Sequence, residues 1–167
     1  MHYCDLASPV GRLLLGGDRS ALRIVSFQDG PHPLEPEPDW QYDEGPFRET
    51  IDQLKGYFAG KLRSFDLPLA PSGTPFQKEV WSALQTIPYG ETRSYGELAR
   101  HLGRPTAFRA VGGANARNPI PIVIPCHRVV GAAGSLTGFG GGVSIKHRLL
   151  TLEGALPDLF GASHAAP

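Results

Sequence analysis

Cysteine is scarce in this chain: only Cys4 and Cys126 stand among 167 residues. Two thiols build no disulfide framework, and such sparing use fits a reducing compartment. His2 and Cys4 could both touch a metal, but two ligands do not make a zinc site, so no metal and no cofactor are expected. No apolar run approaches the roughly 20 residues of a membrane span. The N-terminus shows no basic stretch followed by an apolar one, so no secretory signal is expected. These absences point to a cytoplasmic protein that does not engage a membrane. Net charge is absent as well, with 16 Lys and Arg against 16 Asp and Glu.

What the chain does contain suits a globular fold. At 41% hydrophobic residues it has too much apolar content for a disordered chain. Its length fits one domain, or two small ones sharing a core. The charges, balanced overall, are segregated. From Asp29 to Asp52 eight acids accompany one base, Arg48; from Thr92 to Leu150 eight bases accompany one acid, Glu97. Seven of those eight bases are Arg, whose planar fork suits phosphates and base edges. This asymmetry points to an anionic partner for the second half.

The first third reads as short strands, Tyr3–Leu6, Arg12–Leu15 and Leu22–Phe27, separated by Ser8-Pro9 and Gly16-Gly17-Asp18. That pattern predicts an antiparallel meander. Gln28–Gly45, rich in proline and acids, reads as a loop, and Pro46–Ala59 as a helix with Phe47, Ile51, Leu54, Tyr57 and Phe58 at helical spacing. Pro71-Ser72-Gly73 marks a boundary, giving an N-terminal α/β domain, 1–71, and a C-terminal, mainly helical domain, 72–167. The fold class is α/β. Beyond the boundary, Thr74-Pro75-Phe76-Gln77 and Ser94-Tyr95-Gly96-Glu97 are capping boxes that open helices. The second helix closes at Gly103, and a third runs from about Thr106 to Ala116, making a helix-turn-helix candidate. The third helix carries Gly112 and Gly113 side by side, each costing about 1 kcal/mol relative to Ala. Close packing against a neighbour is one explanation. The other is a smooth face able to enter a narrow groove, with Arg109 projecting from it.

Chemistry concentrates in Asn118-Pro119-Ile120-Pro121-Ile122-Val123-Ile124-Pro125-Cys126-His127-Arg128-Val129. Its three prolines predict an extended path and exclude a central strand. The β-branched run Ile122–Ile124 would bury it and deliver Cys126 at its end. An isolated cysteine is usually an inert hydrophobe, but neighbouring cations and donors favour the reactive thiolate. Successive side chains diverge in an extended chain, so a bridging water would connect Cys126 to His127. The glycine-rich stretch Thr137–Gly142 is no phosphate loop, since no Gly-Lys-Ser/Thr follows it.

Pro125-Cys126-His127-Arg128-Val129 resembles the active-site signature of the O6-alkylguanine-DNA alkyltransferases, the methylated-DNA–protein-cysteine methyltransferases. Ser94-Tyr95, Arg109 through Ala114, Asn118-Pro119, and Lys146 through Leu149-Leu150 to Glu153-Gly154 follow in the family's order. The resemblance runs continuously from about Thr74 to Gly154, with the N-terminal half resembling the family's variable domain. It implies a single-use DNA repair protein that moves an alkyl group from O6-alkylguanine, with O4-alkylthymine a further candidate, onto its own cysteine.

By resemblance, Cys126 is the alkyl acceptor, His127 the base acting through water, and Glu153 the carboxylate that orients it. Asn118 braces the turn before the cysteine, and Tyr95 donates to the leaving guanine. Val129 and Gly140 read the base edge through their backbones, and Phe139 walls the pocket, where relatives often carry Tyr. The missing hydroxyl bears on which alkyl groups are accepted. Arg109 is the finger that fills the base stack, with Ala110, Gly112, Gly113, Arg117, Arg128, Thr92 and Ser94 also at the DNA. The implied partner is double-stranded DNA, entered from the minor groove with the damaged nucleotide flipped out. The protein would act as a monomer, open to cooperative binding, at the nucleoid if the cell is bacterial. Two other readings compete: a relative that binds alkylated DNA without reacting, against which the intact Cys126 argues, and a cysteine hydrolase, for which no oxyanion hole is evident.

Overall fold

The computed structural model describes residues 1–156; residues 157–167, the end of the expected C-terminal domain, lie outside it. Three strands, β1 (His2–Ser8), β2 (Gly11–Gly17) and β3 (Leu22–Phe27), form the expected antiparallel meander. A fourth, β4 (Gln41–Tyr42), was not expected. It pairs parallel to β1, so the sheet order is β3-β2-β1-β4 and the sheet is mixed. Two residues within an acidic, proline-containing stretch give no period to read. Leu13, Leu14 and Leu15 of central β2 are all buried, each worth about 1.5–3 kcal/mol relative to exposure. Helix α1 (Arg48–Phe58) follows a 3-10 turn and buries Leu54 and Tyr57.

The second half is helical. Helix α2 (Pro75–Leu84) begins at the Thr74–Gln77 capping box and buries Val80, Trp81 and Leu84. Helix α3 (Tyr95–His101) begins at the Ser94–Glu97 box. Gly103, at φ +72°, turns the chain toward α4 (Phe108–Ala116), and α2, α3 and α4 pack together. Trp81 Nε1 donates to the Ala114 carbonyl at 2.8 Å, fixing α4 against α2. Helix α5 is Val143–Leu152.

Two connections set the position of the chemistry-bearing segment. The short strands β5 (Arg93–Ser94) and β6 (Val129–Val130) pair in parallel and bring residue 129 beside the start of α3. The Val25 N–H of β3 donates to the Pro119 carbonyl at 2.9 Å, so the first sheet also touches this segment. One continuous hydrophobic core runs from Cys4 to Leu149 through both halves.

Candidate active site

The stretch before Cys126 is a turn rather than the expected extended run. The Ile124 N–H donates to the Ile120 carbonyl at 2.9 Å. Asn118 holds the turn from inside: its Oδ1 accepts the Ile120 N–H at 3.0 Å, and its Nδ2 donates to the Ile124 carbonyl at 2.7 Å. These side-chain bonds offer the backbone an alternative to extension. Ile122 sits at φ +73°, an outlier conformation for a β-branched residue, held by complete burial of its side chain. The chain then enters a 3-10 turn, Cys126–Arg128, with all three residues buried.

His127 is fully buried, with Nε2 2.7 Å from Glu153 Oε2 and Nδ1 without a hydrogen-bond partner. Burial lowers its pKa against the opposing pull of Glu153, so the ring is neutral at pH 7. Its one N–H must then sit on Nε2 to donate to the carboxylate, leaving Nδ1 as an acceptor. Glu153 caps the end of α5 and gathers donors from distant parts of the chain. Its Oε2 accepts from Tyr57 at 2.6 Å and from Arg128 Nη2 at 3.1 Å. Its Oε1 accepts from Arg128 Nε at 2.8 Å and from the Gly90 N–H at 3.3 Å. Burial pushes this carboxyl up, but the hydrogen bonds from His127 and Arg128 outweigh it and hold the group at about 2.

Arg128 therefore does not stand at the surface as a DNA contact. Its guanidinium is buried against Glu153, and Nη1 donates to the Ile87 carbonyl at 2.7 Å. A buried carboxylate needs a partner cation, and Arg128 is the nearest one. Cys126 is 4% exposed. Burial pushes its thiol up to about 11, against the hydrogen bond from Asn118 and the charge of Lys146.

Tyr95, half-buried at the start of α3, donates to the Thr137 carbonyl at 3.2 Å. The same carbonyl accepts Lys146 Nζ at 2.9 Å, and Lys146 also donates to the Val129 carbonyl at 2.5 Å. Phe139 packs on Phe27 at the end of β3, with ring centroids 5.6 Å apart, and Gly140 is exposed. Arg109, Ala110 and Arg117 are exposed along α4, while Thr92 and Ser94 are half-buried. The Ser94 hydroxyl is already engaged as the cap of α3. A Cβ on Gly112 would meet the Tyr95 ring at an ordinary 3.7 Å, and one on Gly113 would meet only the Arg117 side chain at 3.9 Å. Internal packing does not require glycine at 113. A cavity of about 420 Å³ lies beside Pro125 and Arg128; Cys126 does not line it.

Two family models match this chain: the DNA binding domain of 6-O-methylguanine DNA methyltransferase over residues 75–155, and the ribonuclease-like domain of the same family over residues 1–71. The chain belongs to the 6-O-methylguanine DNA methyltransferase family. A curated member from Methanosarcina acetivorans, a methylated-DNA–protein-cysteine methyltransferase, is 55% identical over 93% of this chain and 99% of its own. A Mycobacterium tuberculosis protein of the same name is 52% identical, covering 92% of each chain. The solved structure of Mycobacterium tuberculosis OGT in complex with DNA superimposes with a TM-score of 0.86 at 50% identity, covering 93% of this chain and 94% of that one.

Within this methyltransferase fold, Cys126, His127 and Glu153 come together, and Asn118 and Tyr95 reach the same region through the turn and the Thr137 loop. Sequence reasoning missed Tyr57, Gly90 and Asn115, whose Nδ2 donates to the Cys126 carbonyl at 3.4 Å. Tyr57 lies on the apolar face of a helix, so nothing in its neighbourhood advertises a polar task. Among the described residues no cluster of His, Cys, Asp or Glu could hold a metal, and no helix is long and apolar enough to cross a membrane.

Proposed function

We propose that Cys126 accepts the alkyl group of O6-alkylguanine in DNA, irreversibly and once per protein. The observation that carries this reading is the His127–Glu153 pair beside the buried thiol, with His127 Nδ1 left free as an acceptor. The thiol proton passes through a bridging water to Nδ1, and Glu153 stabilises the imidazolium at 2.7 Å. The sulfur attacks the O6-alkyl carbon in line, a C–S bond forms, and the C–O6 bond breaks. The electron pair leaves on the guanine, and Tyr95 turns its hydroxyl from Thr137 to the base as that charge develops. The resulting thioether has no easy route back to thiol. Cys4, fully buried with its thiol pushed up to about 12 chiefly by burial, takes no part.

The DNA is engaged through α4. A guanine O6 inside a duplex must be extruded before attack, at a cost of a few kcal/mol. The Gly112–Gly113 face suits a narrow minor groove, and exposed Arg109 is the finger that fills the vacated stack. Val129, Phe139 and Gly140 border the extruded base. A titrating, monomeric protein working on chromosomal DNA in the cytoplasm is the corresponding cellular role. The two separate family matches support a division into domains 1–71 and 72–167.

The test is mass spectrometry after incubation with an O6-methylguanine duplex. One methyl per protein, on the peptide containing Cys126, is expected. Repeated turnover, or label on Cys4 in its stead, would overturn the reading.

A further inference from the structure

The loop that carries Phe139 is tied to the fold by hydrogen bonds at one end only. The Thr137 carbonyl accepts from Tyr95 at 3.2 Å and from Lys146 at 2.9 Å. Among the described residues, no hydrogen bond joins residues 138–141 to an element outside the loop; the Phe139 carbonyl accepts the Gly142 N–H at 3.0 Å, within it. Packing holds this end. The Phe139 ring lies on Phe27 with centroids 5.6 Å apart and planes tilted by 56°, within the range of attractive aromatic pairs. Phe27 is the last residue of β3, buried and in register with Leu13 of central β2, so the sheet fixes its place. Gly141 lies across both rings: a Cβ there would come within 2.6 Å of Phe27 and 2.7 Å of Phe139. Its φ is not left-handed, so space rather than backbone conformation calls for the glycine. A Cβ on Gly30, in the turn after β3, would in turn meet the Gly141 carbonyl at 3.2 Å.

We infer that Phe27 is a positioning residue for Phe139: it backs the wall of the base pocket and so limits the size of alkyl group that Cys126 accepts. The inference rests on the proposed function, in which Phe139 borders the extruded base. A wall without hydrogen bonds to the rest of the fold stands where its backing puts it. Apolar pockets discriminate by volume, one methylene being worth roughly 10–200-fold, so a small displacement of Phe139 is felt as a change in selectivity. The N-terminal sheet, which carries none of the reacting groups, thereby sets part of the specificity.

The experiment measures single-turnover transfer to Cys126, by mass spectrometry of the whole protein, from two duplexes that differ only in carrying O6-methylguanine or O6-benzylguanine. The benzyl-to-methyl rate ratio of each variant is compared with that of the native protein, so intrinsic reactivity of the two groups, extrusion and thiol reactivity cancel. Phe27→Ala removes the backing, Phe139 relaxes into the space, and the ratio should rise at least about tenfold. Gly141→Ala forces Phe139 off its backing toward the base, and the ratio should fall by a similar factor. A general loss of stability slows both transfers together and leaves the ratio where it was. An unchanged or lower ratio in folded Phe27→Ala overturns the inference. Should that variant fail to fold, Gly141→Ala decides: a lower ratio supports the inference, and an unchanged or higher one overturns it. A native protein whose Cys126 takes up neither group would sink the proposed function and this inference with it. Normal methyl transfer with an unmoved ratio in the variants would sink the inference alone.

Discussion

The Tyr57 hydroxyl donates to Glu153 Oε2 at 2.6 Å, joining α1 to the end of α5 across 96 residues of sequence. The first half of the chain thereby takes part in the site: the carboxylate that orients His127 is held partly by a phenol from α1. Burial, with the Glu153 charge beside it, raises the Tyr57 pKa, so it stays a donor throughout the working range.

Tyr57→Phe removes that donor and leaves the ring. A buried hydrogen bond to a charged acceptor contributes about 1.5–3 kcal/mol. Urea denaturation should show a loss of that size. Methyl transfer should slow only a few-fold, because His127 and Arg128 still hold Glu153. Unaltered stability would mean that the phenol serves only as packing.

Acid should destabilise the protein in two stages. Glu153 is held at about 2 in the folded state against 4.5 ordinarily. A depressed carboxyl contributes stability that is full above the unfolded value and is lost as pH falls through the folded one, here between about 4.5 and 2. The shift corresponds to about 3 kcal/mol. His127, lowered mainly by burial, resists protonation in the fold, so its contribution to acid loss begins as pH drops below about 6.5, its ordinary value. Glu153→Gln should flatten the lower part of the stability–pH curve. It should also cost about 3–5 kcal/mol near pH 7, since Arg128 is left buried without its anion.

Tyr95→Phe should keep DNA binding and slow transfer. The hydroxyl's interaction with the leaving guanine strengthens as charge develops, so losing it costs about 1.5–3 kcal/mol, or roughly ten- to a hundredfold in rate. Single-turnover rates at saturating protein measure this. An unchanged rate would leave Tyr95 with its contact to Thr137 as its whole role.

Arg109→Ala should slow repair of duplex O6-methylguanine far more than reaction with free O6-alkylguanine, since the free base needs no extrusion. Arg109→Lys should rescue poorly, because a point charge on a flexible stem does not fill a planar gap. Equal slowing of both substrates, or full rescue by Lys, would remove the finger role from Arg109.

Much of the architecture was legible in the sequence because its signals are local. The capping boxes at Thr74 and Ser94 satisfy helix ends within four residues, and the three strands alternate with turn residues. The ordered motifs from Ser94 to Glu153 are likewise local in sequence, and they fall within the family match over residues 75–155. Strand β4 escaped because its pairing with β1 depends on a return across the 32 residues between Ser8 and Gln41.

What the tertiary structure alone decided are the partnerships of buried charge. Arg128 reads as one more surface base in a basic half, yet it lies inside, because the Glu153 carboxylate could be buried only with a cation at 2.8 Å. Tyr57 reads as a core aromatic, yet its hydroxyl donates to the buried Glu153 carboxylate. The turn before Cys126 reads as extended and is curled by Asn118, at the expense of a left-handed Ile122. Local propensity follows from a few neighbouring residues and so is written along the chain. The pairing of a buried charge depends on which groups the fold brings within about 3 Å, and no spacing in the sequence records that.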